Sequence, residues 1–117
     1  MDGYKVVFYE EHGVCPVMEF LRSLPSKKVK EKVNARILLL GEKGFRMPFE
    51  YNKNLKGYPL WELKIPYGTN TYRVLYFFHG SLVVLLHGFA KKTDETPKSH
   101  IDLALRRMER WKDIRNL

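Results

Sequence analysis

The chain has 117 residues, room for one folded domain around one core and too few for a catalytic domain plus a separate regulatory one. Hydrophobic residues make up 44% and charged residues 29%, a globular balance that excludes a disordered chain. Lys and Arg number 21 against 13 Asp and Glu, a net charge of +8 that attracts polyanions and makes their binding salt-dependent.

Tyr4 to Tyr9 (YKVVFY) is β-branched and aromatic and runs into Glu10-Glu11-His12-Gly13, so it predicts a first strand leaving into a turn. From Cys15 to Leu24, Val17, Phe20, Leu21 and Leu24 recur at helical spacings, and Pro25 stops the run. Ser26 is placed to cap a second helix in which Val29, Val33, Ile37 and Leu40 share one face and Lys27, Lys28, Lys30, Glu31 and Lys32 stay in water. That helix ends near Gly41 or Gly44.

Phe45 to Gly57 has no clean period and reads as a basic loop. Three strands follow, Leu60 to Ile65, Thr71 to Phe78 and Leu82 to Phe89, joined by links short enough to require antiparallel hairpins. Leu82 to Leu86 is apolar throughout, as expected of an interior strand covered on both faces. Thr96-Pro97 opens a closing helix, with the Thr96 hydroxyl as its expected cap. Ile101, Ala104, Leu105, Met108 and Trp111 form its core stripe, and Arg106, Arg107 and Arg110 leave on the other side. The fold class is α+β, a single domain over 1–117.

Cys15 is the only cysteine, which rules out an internal disulfide and a Cys-based zinc site and suits a reducing compartment. The first 20 residues carry Asp2, Glu10, Glu11 and Glu19 and no long apolar run, so neither a signal peptide nor a membrane span is expected, and the expected location is the cytoplasm.

The chemistry suggested by the residues is cationic. With Gly68-Thr69 at the centre of the first hairpin, Lys64 lies opposite Arg73 on one sheet face, where two cations repel each other unless an anion sits between them. Alternation turns at least one of Lys91 and Lys92 to the same side. Lys64, Arg73, Lys91 and Lys92 are therefore the candidate catalytic residues: Arg clamps phosphate oxygens, and a lysine crowded by cations can move a proton. Lys53 and Lys56 of the basic loop, with Lys98 and His100 of the closing helix, are the candidate RNA-binding residues. Glu62 is a possible partner for Arg73 or Lys64. Of the other histidines, His12 and His79 read as surface residues and His87 as a core histidine. Tyr58, Trp61, Tyr67, Tyr72 and Tyr76 could stack on bases or simply fill the core. No metal-ligand spacing, Gly-rich phosphate loop or GxSxG turn is present, so no metal or cofactor is expected.

From Leu55 onward the stretches LKGYPLWELKI (Leu55 to Ile65), TYRVLY (Thr71 to Tyr76) and VVLLHGFAKKTDETP (Val83 to Pro97), followed by a helix containing Ala104, resemble the HigB-like branch of the RelE/ParE toxin superfamily. The resemblance implies a small RelE-like domain, two N-terminal helices packed on a twisted, mainly antiparallel sheet with a C-terminal helix. It implies metal-independent mRNA cleavage on the ribosome by Lys and Arg, with Lys64 at a cationic strand position, Arg73 in the YR pair and Lys92, beside Lys91, after the last strand. It also implies a HigA-like helix-turn-helix antitoxin that forms a hetero-oligomer with the chain and covers or distorts the patch. Many relatives have Arg in place of Lys64; RelE itself has Arg in place of Lys92 and a tyrosine near Lys98; some HigB proteins use histidine and acidic residues. Two other classes remain open: a ParE-like gyrase inhibitor, and a non-catalytic nucleic-acid-binding module.

Overall fold

A computed structural model describes residues 3–116. The elements run β1 (Lys5–Phe8), α1 (Pro16–Arg22), α2 (Lys27–Lys43), a single 3₁₀ turn (Gly44–Arg46), β2 (Asn52–Asn54), β3 (Trp61–Tyr67), β4 (Asn70–His79), β5 (Leu82–Lys91) and α3 (Lys98–Arg115). Pro16 opens α1 at a position where its missing N–H removes no helical bond. Ser26 caps α2 by accepting from the Val29 amide at 3.2 Å, and Val29, Val33, Ile37 and Leu40 are the residues that α2 buries.

The five strands form one mixed sheet in the order β1-β5-β4-β3-β2. Only β1 and β5 run parallel; the remaining pairs are antiparallel hairpin neighbours. α1 and α2 cover one face, where Val17, Val33, Leu40, Leu63, Val74 and Leu85 pack. α3 covers the other, where Leu75, Phe77, Leu86, Phe89, Ala104 and Met108 pack. Burial on both faces explains the unbroken apolar run of β5, which lies inside the sheet as its composition predicts.

β2 falls inside the expected basic loop. It is only three residues long, and its register is held by polar anchors: buried Asn52 donates to the Tyr76 hydroxyl at 2.9 Å and Asn54 to the Leu60 carbonyl at 3.0 Å. Hydrophobic periodicity does not report a strand of this kind. The pairing of β4 with β5 shifts after Leu75, which faces His87, while Tyr76 faces Leu85, so Leu86 is an extra residue on β5. No helix among the described residues is long and apolar enough to cross a membrane.

Candidate functional site

The hairpin register places Lys64 opposite Arg73, as the Gly68-Thr69 turn requires, and Arg73 opposite Phe89. Cross-strand partners share a face, so Lys64, Arg73 and Phe89 all lie on the α3 side, with Lys53 opposite Glu62 and Lys91 opposite Thr71 on that side too. Lys91 is thus the member of the Lys91-Lys92 pair that alternation brings to Arg73's face. Lys53, Lys91 and Lys92 are exposed and Lys64 is half-buried. Lys53, Lys64, Arg73 and Lys91 share one side of the sheet, and Lys92 lies just past the end of β5.

Arg73 differs from the others because it is only 1% exposed. Its guanidinium lies 3.5 Å from the carboxylate of Glu62, itself fully buried, and donates to the carbonyls of Asp94, at 2.9 Å, and Thr93. The Thr96 hydroxyl donates to the same Glu62 carboxylate at 2.6 Å, and Lys53 stands 3.9 Å from its other oxygen. A buried charge must be paired and hydrogen-bonded, and here the pairing ties β3 and β4 to the segment leading into α3. Arg73 therefore fixes the loop that starts at Lys92, just past Lys91 at the end of β5, and its charge is already paired with Glu62. Thr96 serves this network and does not cap α3, whose N-cap is Pro97 without a side-chain bond.

Beside this network lies a pair of histidines. His87 of β5 and His100 of α3 face each other with Nε2···Nδ1 at 2.7 Å. The ring of His100 lies flat on Phe89, centroids 3.9 Å apart and planes 8° apart, and the His87 ring is 4.9 Å from that of His100 and 5.5 Å from that of Phe89. Arg107 folds back from α3 and donates to the Leu86 carbonyl at 2.8 Å, the extra residue of the bulge, with His87 Nδ1 at 3.4 Å. Among the described residues its buried Nε has no partner.

Such a pair needs one donor and one acceptor, so one of the two facing nitrogens carries a proton and the other accepts it. Burial, then the charge of His100 and that of Arg107, push His87 down to about 4. Burial and the nearby Lys91 ammonium also lower His100. Both rings are consequently unprotonated at neutral pH, the state in which imidazole accepts a proton. With Nδ1 engaged by His87, Nε2 is the nitrogen of His100 outside that contact. A cleft of about 480 Å³, walled by Val14, Phe20, Gly88 and Arg107, opens onto His87 from the α1 side.

Of the residues read as RNA-binding, His100 joins this pair, and Lys53 stands beside Glu62. Lys56 is exposed in the turn after β2, and Lys98 is exposed and bound to Asp102 at 3.1 Å. His12 and His79 are exposed, the latter against the edge of Trp111 at 5.0 Å. Tyr72 and Tyr76 are core; Tyr67, at the β3–β4 turn, is 39% exposed under the Lys32 ammonium. Sequence reasoning read His87 as a satisfied core histidine, and it is half-buried and bonded to His100; Arg107, expected to point outward, instead turns back onto the Leu86 carbonyl. A histidine inside an otherwise apolar strand was the available signal.

The chain matches no curated protein. Residues 19–109, the span that carries α2, the whole β2–β5 meander and the histidine pair, match the family model described as Phage derived protein Gp49-like (DUF891). The chain belongs to that family, a RelE/toxin-like family associated with addiction-module proteins whose toxins are paired with an antitoxin.

Proposed function

We propose that this chain is the HigB-like toxin of a type II toxin–antitoxin pair and that it cleaves mRNA on the ribosome as a metal-independent endoribonuclease. The observation that carries this reading is the 2.7 Å contact between His87 and His100 beside Lys91 on a cationic sheet face. RNA breaks when its 2′-OH loses a proton and attacks the adjacent phosphorus. His100, with its own proton on Nδ1 and donated to His87 Nε2, takes the 2′-OH proton at Nε2. The 2′-oxygen forms its bond to phosphorus as the bond to the 5′-oxygen breaks, leaving a 2′,3′-cyclic phosphate and a 5′-hydroxyl. Lys91, Lys92 and Lys64 neutralise the charge that accumulates on the phosphate oxygens, and a lysine ammonium supplies the proton to the departing 5′-oxygen. Arg73 acts through the loop it anchors. The inhibitor is a HigA-like helix-turn-helix antitoxin.

Primer extension on translated mRNA tests the proposal with the intact chain, His100→Ala, His87→Ala and Lys91→Ala/Lys92→Ala. Cuts should disappear in each variant while the circular dichroism spectrum stays unchanged. Undiminished cleavage by His100→Ala would overturn the mechanism. A chain that arrests growth without any cut in translated mRNA would favour gyrase inhibition instead.

A further inference from the structure

Arg107 touches the histidine pair without taking part in the proton transfer described above. It stands two helical turns after His100 on α3, so both side chains leave the helix toward β5. Helix and strand are thereby joined at two points: His100 Nδ1 lies 2.7 Å from His87 Nε2, and Arg107 donates to the carbonyl of the adjoining Leu86 at 2.8 Å. Leu86 is the extra residue of the β5 bulge, and a bulge re-aims the side chain beside it. Leu85 packs under α1 and α2, and plain alternation would put His87 on that face too. The extra residue turns His87 to the other face, where α3 presents His100. Arg107 grips the bulge at the residue that makes this turn.

The charge of Arg107 is placed with equal economy. Among the described residues its guanidinium makes no ion pair and its buried Nε has no partner, whereas Arg73, on the same side of the sheet, is paired with Glu62. Glu11 acts on Arg107 only at longer range. The guanidinium stands instead 3.4 Å from His87 Nδ1. That separation exceeds an ordinary N–H hydrogen bond, so Arg107 acts on the ring as a fixed charge and leaves Nδ1 to hold the ring's own proton. The other charged or titratable groups facing His87 are His100 from α3 and, across the cleft on α1, Glu19, which is paired with Arg22; its partner on β4 is the apolar Leu75. Lys91 acts on His100. Burial, His100 and Arg107 together hold His87 at about 4. A protonated His87 would carry hydrogens on both nitrogens and could no longer accept from His100 Nδ1.

We propose that Arg107 is a positioning residue of the histidine pair: it pins the Leu86 bulge that turns His87 toward His100, and its charge reserves His87 as the acceptor of that contact. The pair's part in RNA cleavage rests on the toxin reading above; the pinning and the charge rest on the bulge and on where the guanidinium stands.

Long-range proton–nitrogen NMR of the imidazoles, recorded on the full chain without RNA, tests this apart from cleavage. Arg107→Gln removes the charge and keeps an amide donor, while Arg107→Lys keeps the charge. Arg107→Gln should raise the titration midpoint of His87 by about one pH unit, and Arg107→Lys should bring it back to near that of the intact chain. The acid limb of single-turnover cleavage should lie at higher pH in Arg107→Gln than in Arg107→Lys. A His87 midpoint unmoved in Arg107→Gln, or moved equally in both variants, overturns the proposal, as does a loss of rate that is the same at every pH. Should neither variant fold, the intact chain decides: a His100 proton on Nδ1 at neutral pH supports the proposal, and one on Nε2 overturns it. A shifted midpoint without any cut in translated mRNA would keep the positioning role and sink the nuclease reading; an unmoved midpoint with cleavage intact would do the reverse, so the two fail separately.

Discussion

Arg73 and His100 carry opposite consequences for mutagenesis although both lie on the α3 side of the sheet. Arg73→Ala leaves the fully buried Glu62 carboxylate without its guanidinium and releases the Thr93 and Asp94 carbonyls. Removing one partner of a buried pair destabilises by about 3–5 kcal/mol, so chemical denaturation should show a large loss of stability together with any loss of activity. His100→Ala should instead keep the fold and lower the single-turnover cleavage rate by about 10²–10⁴, the usual contribution of a general base. A variant that reverses this pattern, stable at position 73 and unfolded at position 100, contradicts both assignments. The pH dependence follows from His87, whose folded value of about 4 lies below the ordinary 6.5. Between those values the unfolded chain binds a proton that the native chain refuses, so stability from this group is complete above about pH 6.5 and is lost as pH falls toward 4. Cleavage should also fall on acidification below the ordinary histidine range, as His100 protonates. Urea midpoints taken from pH 7 to pH 4 check the first part; a midpoint that stays flat or rises on acidification refutes it.

At the scale of elements, β5 and α1 are fitted to each other at one point. A Cβ on Gly88 would lie 2.3 Å from the ring of Phe20, so α1 can approach β5 only because this residue has no side chain. Gly88→Ala should therefore push α1 off the sheet and destabilise by about 1–3 kcal/mol, the range for overpacking a filled site. Since Gly88 and Phe20 also wall the cleft that opens onto His87, the same variant should weaken RNA binding more than Leu38→Ala, a change on the exposed side of α2. Thermal melts and anisotropy titrations together decide it; an unchanged melting temperature would mean the helix yields freely. The β5 bulge has a comparable role, because the extra residue Leu86 supplies the carbonyl that Arg107 grips from α3.

The whole molecule presents a net charge of +8, with Lys53, Lys64, Lys91 and Lys92 on or beside one sheet face. Binding of a 2′-deoxy analogue that resists cleavage should weaken linearly on a logarithmic salt axis, as counterions released from the phosphates reassociate. Lys91→Ala/Lys92→Ala should reduce the slope by about 0.7 per lysine, the value for single strands. An unaltered slope would remove those two lysines from the interface.

Much of this was legible without coordinates. Periodicities of two and of three to four located β1, both N-terminal helices, the three long strands and α3, because each buries a continuous apolar stripe in a single local conformation. The two-residue link at Gly68-Thr69 sets the register that places Lys64 opposite Arg73, since a hairpin turn leaves no freedom to slip. β2 escaped because its anchors are asparagines, Asn52 bonded to distant Tyr76 and Asn54 to Leu60 of the following turn, and a polar triplet has no period. The histidine pair escaped for a related reason. His87 and His100 are thirteen residues apart on different elements, and only the packing of α3 on the sheet, together with the bulge at Leu86, brings their nitrogens to 2.7 Å and desolvates them. Composition and alternation determined that cations would share a face; which of them is buried by a carboxylate and which remains open to solvent was decided by tertiary packing, because a charge's partner is set by distance in space.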